Sequence, residues 1–467
     1  MGRVNRVVIV GGGPGGYESA LVATQLGAEV TVVDTDGLGG SAVLTDCVPS
    51  KTLIATADLM TDVEEASELG VTFRGPTGHA GGSVQVDLSR VNARVKQLAL
   101  DQSADIERRL TRDGVRIVRG RGRLDGPHHV VASLLDGGEE RLEADAVLVS
   151  TGASPRTLPT AQPDGERILT WEQVYDLDEE PERLIVVGSG VTGAEFASAY
   201  TALGVDVVLV SSRDRVLPSE DADAAEVLEE VFKRRGMTVL SKSRMESVTR
   251  AGETVTVTLT DGRTVEGSHC LLALGSVPNT GDLGLEESGV TLGDGGFVSV
   301  DRVSRTSARG VYAAGDCTGV LMLASVAAMQ GRIAMRHALG DAVTPLDLKE
   351  VSSNVFTSPE IATVGWSQHA VDAGEIEAEG VTLPLSGNAR AKMQGVRDGF
   401  VKIFCRPGAG IVIGGVVVGP RASELIHPIA IAVSERLTAD QLAHAFTVYP
   451  SMSGSVAEAA RRLHRRD

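Results

Sequence analysis

The first clear pattern in the chain is a short apolar run that ends in glycines. Residues 7–10 (Val-Val-Ile-Val) are uniformly apolar, as in a strand buried on both faces. Residues 11–16 (Gly-Gly-Gly-Pro-Gly-Gly) follow at once, and residues 17–26 then have a helical pattern. A glycine turn at residue 27 leads into a second apolar strand at residues 29–33, which ends on Asp34. The pattern predicts a strand–helix–strand unit.

The same pattern occurs a second time. An apolar strand at residues 184–187 leads into Gly-Ser-Gly-Val-Thr-Gly at 188–193, and a helix and a strand at 205–210 follow. The first glycines of the two units are 188 − 11 = 177 residues apart, so the chain contains two separate units of this kind. The sequence therefore predicts an α/β protein with two nucleotide-binding folds.

The remaining segments are less regular. Residues 51–70 read as a helix, residues 75–82 as a looser glycine-rich segment, and residues 88–112 as a long amphipathic helix. Strands follow and end in an apolar run at 146–149. Beyond residue 346, further apolar runs occur at 411–418 and 425–433.

Each glycine turn has the spacing G-x-G-x-x-G, at Gly11, Gly13 and Gly16 in the first unit. The glycines permit a tight turn and let backbone N–H groups approach a pyrophosphate at the helix N-terminus. Asp34 lies about 20 residues further on, where an acid accepts hydrogen bonds from ribose hydroxyls. Two such units imply two dinucleotides, which we assign as FAD and NAD(P)H, the combination found in a flavin reductase.

The end of the second unit bears on the choice of nicotinamide nucleotide. Its last strand is followed at 211–215 by Ser-Ser-Arg-Asp-Arg and not by a closing acid. Arg213 and Arg215 can pair with a 2′-phosphate, so NADPH is predicted to be accepted. The alternative is that both arginines are solvated loop charges, and use of both NADPH and NADH stays open.

Composition narrows the classes of function. The 467 residues correspond to about three domains, and an apolar content of 42% suffices for several cores. A formal net charge of -18 argues against a nucleic-acid partner, because phosphate contacts need clustered Lys and Arg. The cysteines are widely spaced and indicate neither a disulfide framework nor a metal site. They are Cys47, Cys270, Cys317 and Cys405. With no signal peptide and no long apolar run, we expect a soluble, cytoplasmic protein without an integral membrane segment.

Residues 39–51 carry a further motif. They read Gly-Gly-Ser-Ala, four residues, then Cys-Val-Pro-Ser-Lys. The segment resembles the redox-disulfide motif of the flavoprotein pyridine nucleotide-disulfide oxidoreductases, the family of lipoamide dehydrogenase and glutathione reductase, which has Gly-Gly-Thr-Cys, four residues, then Cys-x-Pro-Ser-Lys. The first cysteine is replaced by Ala42, so no disulfide can form here. The resemblance extends over essentially the whole chain through Thr151-Gly152, Gly275 and Gly315-Asp316.

This resemblance implies two Rossmann-like dinucleotide-binding domains plus a C-terminal α+β dimerisation domain, and a homodimer. The expected division is an FAD-binding domain at 1–152 and 279–345, an NAD(P)-binding domain at 153–278, and the dimerisation domain at 346–467. The implied cofactor-binding residues are Gly11, Gly13, Gly15, Gly16, Asp34, Ser41, Lys51, Thr151, Gly152, Gly188, Gly190, Gly193, Glu195, Arg213, Arg215, Gly275, Gly315 and Asp316.

The resemblance also implies which catalytic groups are kept and which are lost. Lys51 is expected near the flavin N5, paired with Glu195, where a cation stabilises the anionic reduced flavin. The family's proton-shuttling His and its Glu correspond to Tyr449 and Gly454, and a phenol is a poor proton shuttle at neutral pH. Cys47 holds the place of the flavin-proximal sulfur, either as a redox-active thiolate or as a small apolar residue.

The expected function is therefore an FAD-dependent NAD(P)H dehydrogenase that passes electrons to a quinone, like the family members that lack the disulfide. Stacking a planar quinone requires neither a dithiol nor a His-Glu base. Three alternatives are kept: a soluble transhydrogenase, a single-cysteine peroxidase or oxidase that uses Cys47, and a non-catalytic flavin-binding scaffold.

Overall fold

A computed structural model of the chain describes residues 5–72 and 84–464. The glycine-rich segment predicted at 75–82 lies outside the described residues. The strands are β1 (Arg6–Val10), β2 (Glu29–Asp34), β3 (Arg116–Leu124), β4 (His129–Leu134), β5 (Glu139–Glu143), β6 (Ala146–Val149), β7 (Ala153–Pro155), β8 (Ile168–Thr170), β9 (Arg183–Val187), β10 (Asp206–Val210), β11 (Thr238–Leu240), β12 (Met245–Ala251), β13 (Thr254–Leu259), β14 (Thr264–Gly267), β15 (His269–Leu272), β16 (Ser276–Pro278), β17 (Val311–Ala313), β18 (Ser352–Val355), β19 (Glu360–Gly365), β20 (Glu379–Pro384), β21 (Phe400–Cys405) and β22 (Val412–Gly419).

The described residues also form α-helices, and short 3₁₀ turns lie between some of them. The α-helices are α1 (Pro14–Gln25), α2 (Gly40–Leu44), α3 (Cys47–Glu65), α4 (Leu88–Arg112), α5 (Val191–Ala202), α6 (Ala222–Arg234), α7 (Ala324–Ala338), α8 (Gln368–Asp372), α9 (Ala389–Met393), α10 (Ala422–Leu425), α11 (His427–Ser434), α12 (Ala439–His444) and α13 (Gly454–Arg462).

The chain divides into two compact units, each made of separate stretches of sequence. Unit 1 combines residues 1–50, 92–156 and 275–347. Its seven-stranded sheet has the order β17-β6-β1-β2-β3-β4-β5, and the strands from β17 to β3 are parallel. Because strand residues alternate between faces, Val7 and Ile9 enter one hydrophobic core while Val8 and Val10 enter the other. Both faces of the sheet are therefore buried, as the apolar runs predict.

One face of this sheet is covered by two tightly packed helices. A side chain added at Gly331 of α7 would overlap the carbonyl oxygen of Gly15 in α1 and crowd the Ser19 hydroxyl. Two backbones that approach this closely leave room for glycine alone. The N-terminal and third stretches of unit 1 are thus joined at this helix pair.

Unit 2 combines residues 51–91, 157–274 and 348–467. It contains a parallel five-stranded sheet, β11-β10-β9-β15-β8, and an antiparallel three-stranded sheet, β12-β13-β14. A second five-stranded sheet, β18-β19-β22-β21-β20, is antiparallel throughout and lies in the C-terminal stretch. These sheets, with the helices around them, form the predicted mixed α/β architecture.

Candidate active site

The first glycine turn has the geometry that a pyrophosphate site needs. A side chain at Gly11 (φ +99°) would overlap the Ser150 carbonyl, and one at Gly16 would overlap the Gly11 carbonyl. By contrast, a Cβ at Gly13 would meet no atom within 4 Å. Two glycines therefore allow strand and helix to pack closely, while the middle one leaves open space at the N-terminus of α1.

The second glycine turn repeats this arrangement position by position. Gly188 (φ +113°) has no room for a side chain because of the Ala273 carbonyl, and Gly193 has none because of the Gly188 carbonyl. Gly190, the N-cap of α5, again faces open space, with no atom within 4 Å of a built Cβ. The two turns thus offer two similar cradles, which fit the two predicted dinucleotides.

Asp34 ends β2 and is about nine-tenths buried. Its Oδ2 accepts a hydrogen bond from the Gly12 N–H at 2.7 Å, and its Oδ1 accepts from the N–H groups of Gly37 at 2.7 Å and Asp36 at 3.1 Å. Burial nevertheless raises the pKa of this carboxyl group. Three of the four acceptor positions of the carboxylate are used by the backbone, so one remains for a ribose hydroxyl.

The predicted turn at Thr151 and Gly152 is hydrogen-bonded to Asn279, which follows β16 in the same unit. Thr151 donates its hydroxyl to the Asn279 carbonyl at 2.6 Å, and Asn279 donates its side-chain amide to the Thr151 carbonyl at 3.0 Å. Gly152 (φ +69°) accepts from the Asn279 N–H at 3.0 Å, and Gly275 (φ +85°) accepts from the Arg156 N–H at 2.9 Å. These hydrogen bonds hold residues 151–156 against residues 275–279 within unit 1.

Gly315 and Asp316 follow β17 directly, at the same edge of the sheet as the first glycine turn. The Gly315 N–H donates to the Gln330 side chain at 2.8 Å. Burial, together with the nearby Asp46, raises the pKa of Asp316 to about 6. A half-buried carboxylate beside a like charge is suited to a ligand that donates hydroxyl groups, as the ribityl chain of a flavin does.

The segment at 39–51 consists of a short helix and the start of a long one. Ser41 and Ala42 lie in α2, with Ser41 exposed, and Cys47 is the first residue of α3. The helix thus begins four residues before the predicted start at Lys51. All four cysteines of the chain lie within the described residues, and none of them forms a disulfide there.

Lys51 and Glu195 are brought together in unit 2. The Lys51 Nζ donates to Glu195 Oε2 at 2.8 Å, from side chains that are 30% and 5% exposed. The second carboxylate oxygen, Oε1, accepts from the Phe356 N–H at 2.9 Å, and the Lys51 Nζ lies 4.8 Å from the Phe356 ring centroid. No role was predicted for Phe356, because no local sequence pattern connects residues this far apart.

The loop at 211–215 follows β10. The offset of 177 residues that relates the two glycine turns places Ser211 where the first unit has Asp34. Ser211 is fully buried, and its hydroxyl hydrogen-bonds the Ser189 hydroxyl at 2.6 Å and accepts from the Arg213 N–H at 3.1 Å. Arg213 is exposed, and Arg215 is half-buried and donates to the Pro218 carbonyl at 3.3 Å. The buried hydroxyl pair thus replaces a carboxylate at this position.

Tyr449 lies in an exposed stretch of the C-terminal part of the chain. Its side chain is 86% exposed in the single chain, and those of Phe446 and Val448 are also exposed. The other three cysteines are buried, at Cys270 in β15, Cys317 after β17 and Cys405 in β21. Burial raises the pKa of all three thiols, to about 11 at Cys317, so they behave as packing residues.

Comparison with known protein families assigns the chain to a class. The model of the pyridine nucleotide-disulphide oxidoreductases matches residues 5–331, and that of the dimerisation domain of the same family matches residues 351–460. The chain therefore belongs to this family, as its motifs predict. Members use FAD and NAD(P)H, so the chain is a flavoprotein oxidoreductase.

Individual relatives refine this assignment. The chain is 58% identical to the NAD(P)H dehydrogenase (quinone) of Mycobacterium tuberculosis, with 99% of this chain and 95% of the relative aligned. The crystal structure of LpdA from the same organism superposes with a TM-score of 0.94 and covers 99% of this chain and 100% of that one. Dihydrolipoyl dehydrogenase of Zymomonas mobilis is 31% identical, with 98% of both chains aligned.

Two further findings complete the comparison. The flavoprotein disulfide reductase RclA of Escherichia coli is 21% identical, superposes with a TM-score of 0.87, and covers 99% of this chain and 100% of that one. At that identity it supports the fold alone. Within residues 5–72 and 84–464, no helix is both long and apolar enough to cross a bilayer.

Proposed function

We propose that this chain is an FAD-dependent NAD(P)H dehydrogenase whose electron acceptor is a quinone. The observation that carries the proposal is the combination of a retained Lys51–Glu195 ion pair with alanine at residue 42. The ion pair serves the step that takes electrons from the nicotinamide, while the disulfide step needs a cysteine that is absent here. The relative with 58% identity, named as an NAD(P)H dehydrogenase (quinone), supports the same acceptor.

The residues of this chain have defined tasks in the proposed reaction. Bound FAD would supply the chemistry, accepting a hydride from NAD(P)H and giving two electrons to the acceptor. The first glycine turn, with Asp34 and Asp316, would hold FAD, and the second, with Arg213 and Arg215, would hold the nicotinamide nucleotide. Lys51 would present a positive charge that stabilises negative charge on the reduced flavin, and Glu195 would fix the orientation of that ammonium group.

We further propose that Tyr449 acts near a quinone as part of a homodimer located in the cytoplasm. The dimerisation domain at 351–460 supports an assembly of two chains. Apolar side chains that are exposed in one chain at Phe446, Val448 and Tyr449 are suited to burial against a second copy. Light scattering of the purified protein, with twice the 48.7 kDa chain mass expected, tests the dimer.

The acceptor is tested by following NADPH oxidation by the purified holoprotein. Turnover is measured with a soluble naphthoquinone and, in parallel, with lipoamide and glutathione disulfide. We expect turnover with the quinone alone. Turnover with either disulfide would overturn the proposal, and so would hydride transfer to thionicotinamide-NAD that outpaces reduction of the quinone, which would indicate a transhydrogenase.

The role of Lys51 is tested in the half-reaction. Lys51→Met should slow anaerobic reduction of the flavin by NADPH in stopped flow, while Lys233→Met, which changes an exposed lysine on α6, should not. Equal rates for Lys51→Met and the wild type would remove Lys51 from this role. If NADPH fails to reduce the flavin of the wild-type protein, the alternative of a non-catalytic flavin-binding scaffold is favoured.

A further inference from the structure

Phe356 makes two contacts that converge on the Lys51–Glu195 pair. It lies in the short connection between β18 and β19, within the dimerisation domain and far from both charged residues in sequence. One contact is made by its backbone and the other by its ring. The two contacts act on different members of the ion pair, so each can be considered separately.

The backbone contact fixes Glu195. Its carboxylate is buried and receives one donor on each oxygen, the Lys51 ammonium on Oε2 at 2.8 Å and the Phe356 N–H on Oε1 at 2.9 Å. A carboxylate with one donor on each oxygen has little freedom to rotate about its last bond. The position of the Phe356 backbone therefore sets the direction from which Glu195 draws the lysine.

The ring contact acts on Lys51 itself. Its Nζ lies 4.8 Å from the Phe356 ring centroid, within the ~6 Å at which an ammonium group is attracted to an aromatic face. With the carboxylate and the ring both near it, the ammonium group is restrained by a charge and by a π-surface. Its side chain is 30% exposed, so solvent screens this attraction incompletely.

Further hydrogen bonds attach the same connection to neighbouring helices. The Ser358 N–H donates to the hydroxyl of Ser198, which lies one turn beyond Glu195 on α5, at 3.1 Å. The Arg235 guanidinium, at the end of α6, donates to the Ser358 carbonyl at 3.1 Å. The connection is thus held against α5 at two points and cannot shift without moving Glu195.

We propose that Phe356 is a positioning residue for electron transfer, which orients the Lys51 ammonium through its ring and Glu195 through its backbone N–H. The inference rests on the proposed role of Lys51 beside the flavin. It makes the dimerisation domain a contributor to the redox properties of the cofactor. Phe356 thereby acts on the flavin through Lys51 and not by direct contact.

Phe356→Leu in the holoprotein tests the ring, because leucine keeps the backbone N–H. We expect flavin reduction by NADPH to slow roughly threefold to tenfold, the range expected for a partly desolvated cation–π contact. The midpoint potential of the bound flavin should become more negative, since a misplaced cation stabilises the reduced form less. Phe356→Tyr, which restores an aromatic face, should return both values towards the wild type.

A matched control separates positioning from loss of an aromatic side chain. Phe400→Leu makes the same change in β21, where the ring lies 5.5 Å from the Lys402 Nζ, and should leave the flavin potential unchanged. In a Lys51→Met background, Phe356→Leu should shift the potential no further, because its effect passes through Lys51. If the Phe356→Leu variant fails to fold, Phe356→Met is used in its place, because it also removes the aromatic ring and keeps the backbone N–H.

The outcomes distinguish this inference from the proposed function. An unchanged potential in Phe356→Leu, or an equal shift with and without Lys51, would overturn the positioning role even if the wild type reduces quinones. Conversely, failure of the wild type to reduce quinones would overturn the proposed acceptor. The measured dependence of the flavin potential on Phe356 would still stand in that case.

Discussion

A buried ion pair in unit 2 gives a quantitative prediction about stability. Lys402 of β21 is 3% exposed and its Nζ lies 2.8 Å from Oδ2 and 3.0 Å from Oδ1 of Asp221, which is 2% exposed. The same Nζ lies 2.7 Å from Asp223, which is 61% exposed. Asp221 also caps α6 by accepting from the N–H groups of Asp223 and Ala224. The pair therefore joins β21 to the N-terminus of α6.

Lys402→Met removes the charge while filling most of the space. The loss leaves the Asp221 carboxylate buried without its counter-ion, and breaking a buried pair in this way costs about 3–5 kcal/mol. The exposed contact with Asp223 adds at most about 1 kcal/mol. The two capping N–H groups still stabilise the carboxylate, so we expect the lower end, about 3 kcal/mol, and a fall of about 5 °C in the Tm of unit 2.

Thermal unfolding of the holoprotein, followed by circular dichroism, measures this effect. Adding Asp221→Asn to Lys402→Met should recover most of the loss, because asparagine keeps the cap and removes the charge. Lys233→Met, at an exposed i,i+4 pair, should change Tm by less than about 2 °C. A Lys402→Met protein that melts with the wild type, or a double variant without recovery, would refute the reasoning.

Four further substitutions test the nucleotide sites. Gly190→Ala should fold and keep its flavin but raise KM for NADPH several-fold, whereas Gly193→Ala, which overlaps a carbonyl, should lower Tm. Asp316→Asn should stabilise the apoprotein at pH 7. Because the carboxyl pKa is raised in the folded state, the contribution of Asp316 to wild-type stability falls as pH rises from about 4 to about 6. Urea unfolding of the asparagine variant should not show this fall. Arg213→Glu should lower kcat/KM for NADPH more than for NADH, and an equal effect on both would assign Arg213 to the solvated loop.

Much of the fold could be predicted because the information is local. The apolar strands at 7–10 and 184–187 and the glycines after them are each contained in one short stretch of sequence, so pattern and structure agree there. Element ends were less predictable. The helix α1 begins at Pro14 and not at residue 17, because a proline at the first turn, with its fixed φ, favours an early start.

The part of the candidate site that could not be predicted from residues alone depends on long-range contacts. The pairing of Lys51 with Glu195 was expected through the family resemblance, and the two side chains are in contact in the structure. Phe356 completes that pair from another part of the chain, and its sequence neighbourhood gives no sign of it. The catalytic and cofactor roles assigned to individual residues, and the domain boundaries at 152, 278 and 345, stay predictions.

The discontinuous make-up of unit 1 has a consequence for how the protein is synthesised. Strand β6 pairs with β17, and α1 packs against α7, so β6 and α1 have their full set of neighbours only after residue 338 has been translated. Until then, the apolar sheet edge at β6 and one side of α1 stay uncovered on the nascent chain. Such surfaces are where chaperones bind and where aggregation begins. Incorporation of the flavin is therefore expected late, when the ribosome has made most of the polypeptide.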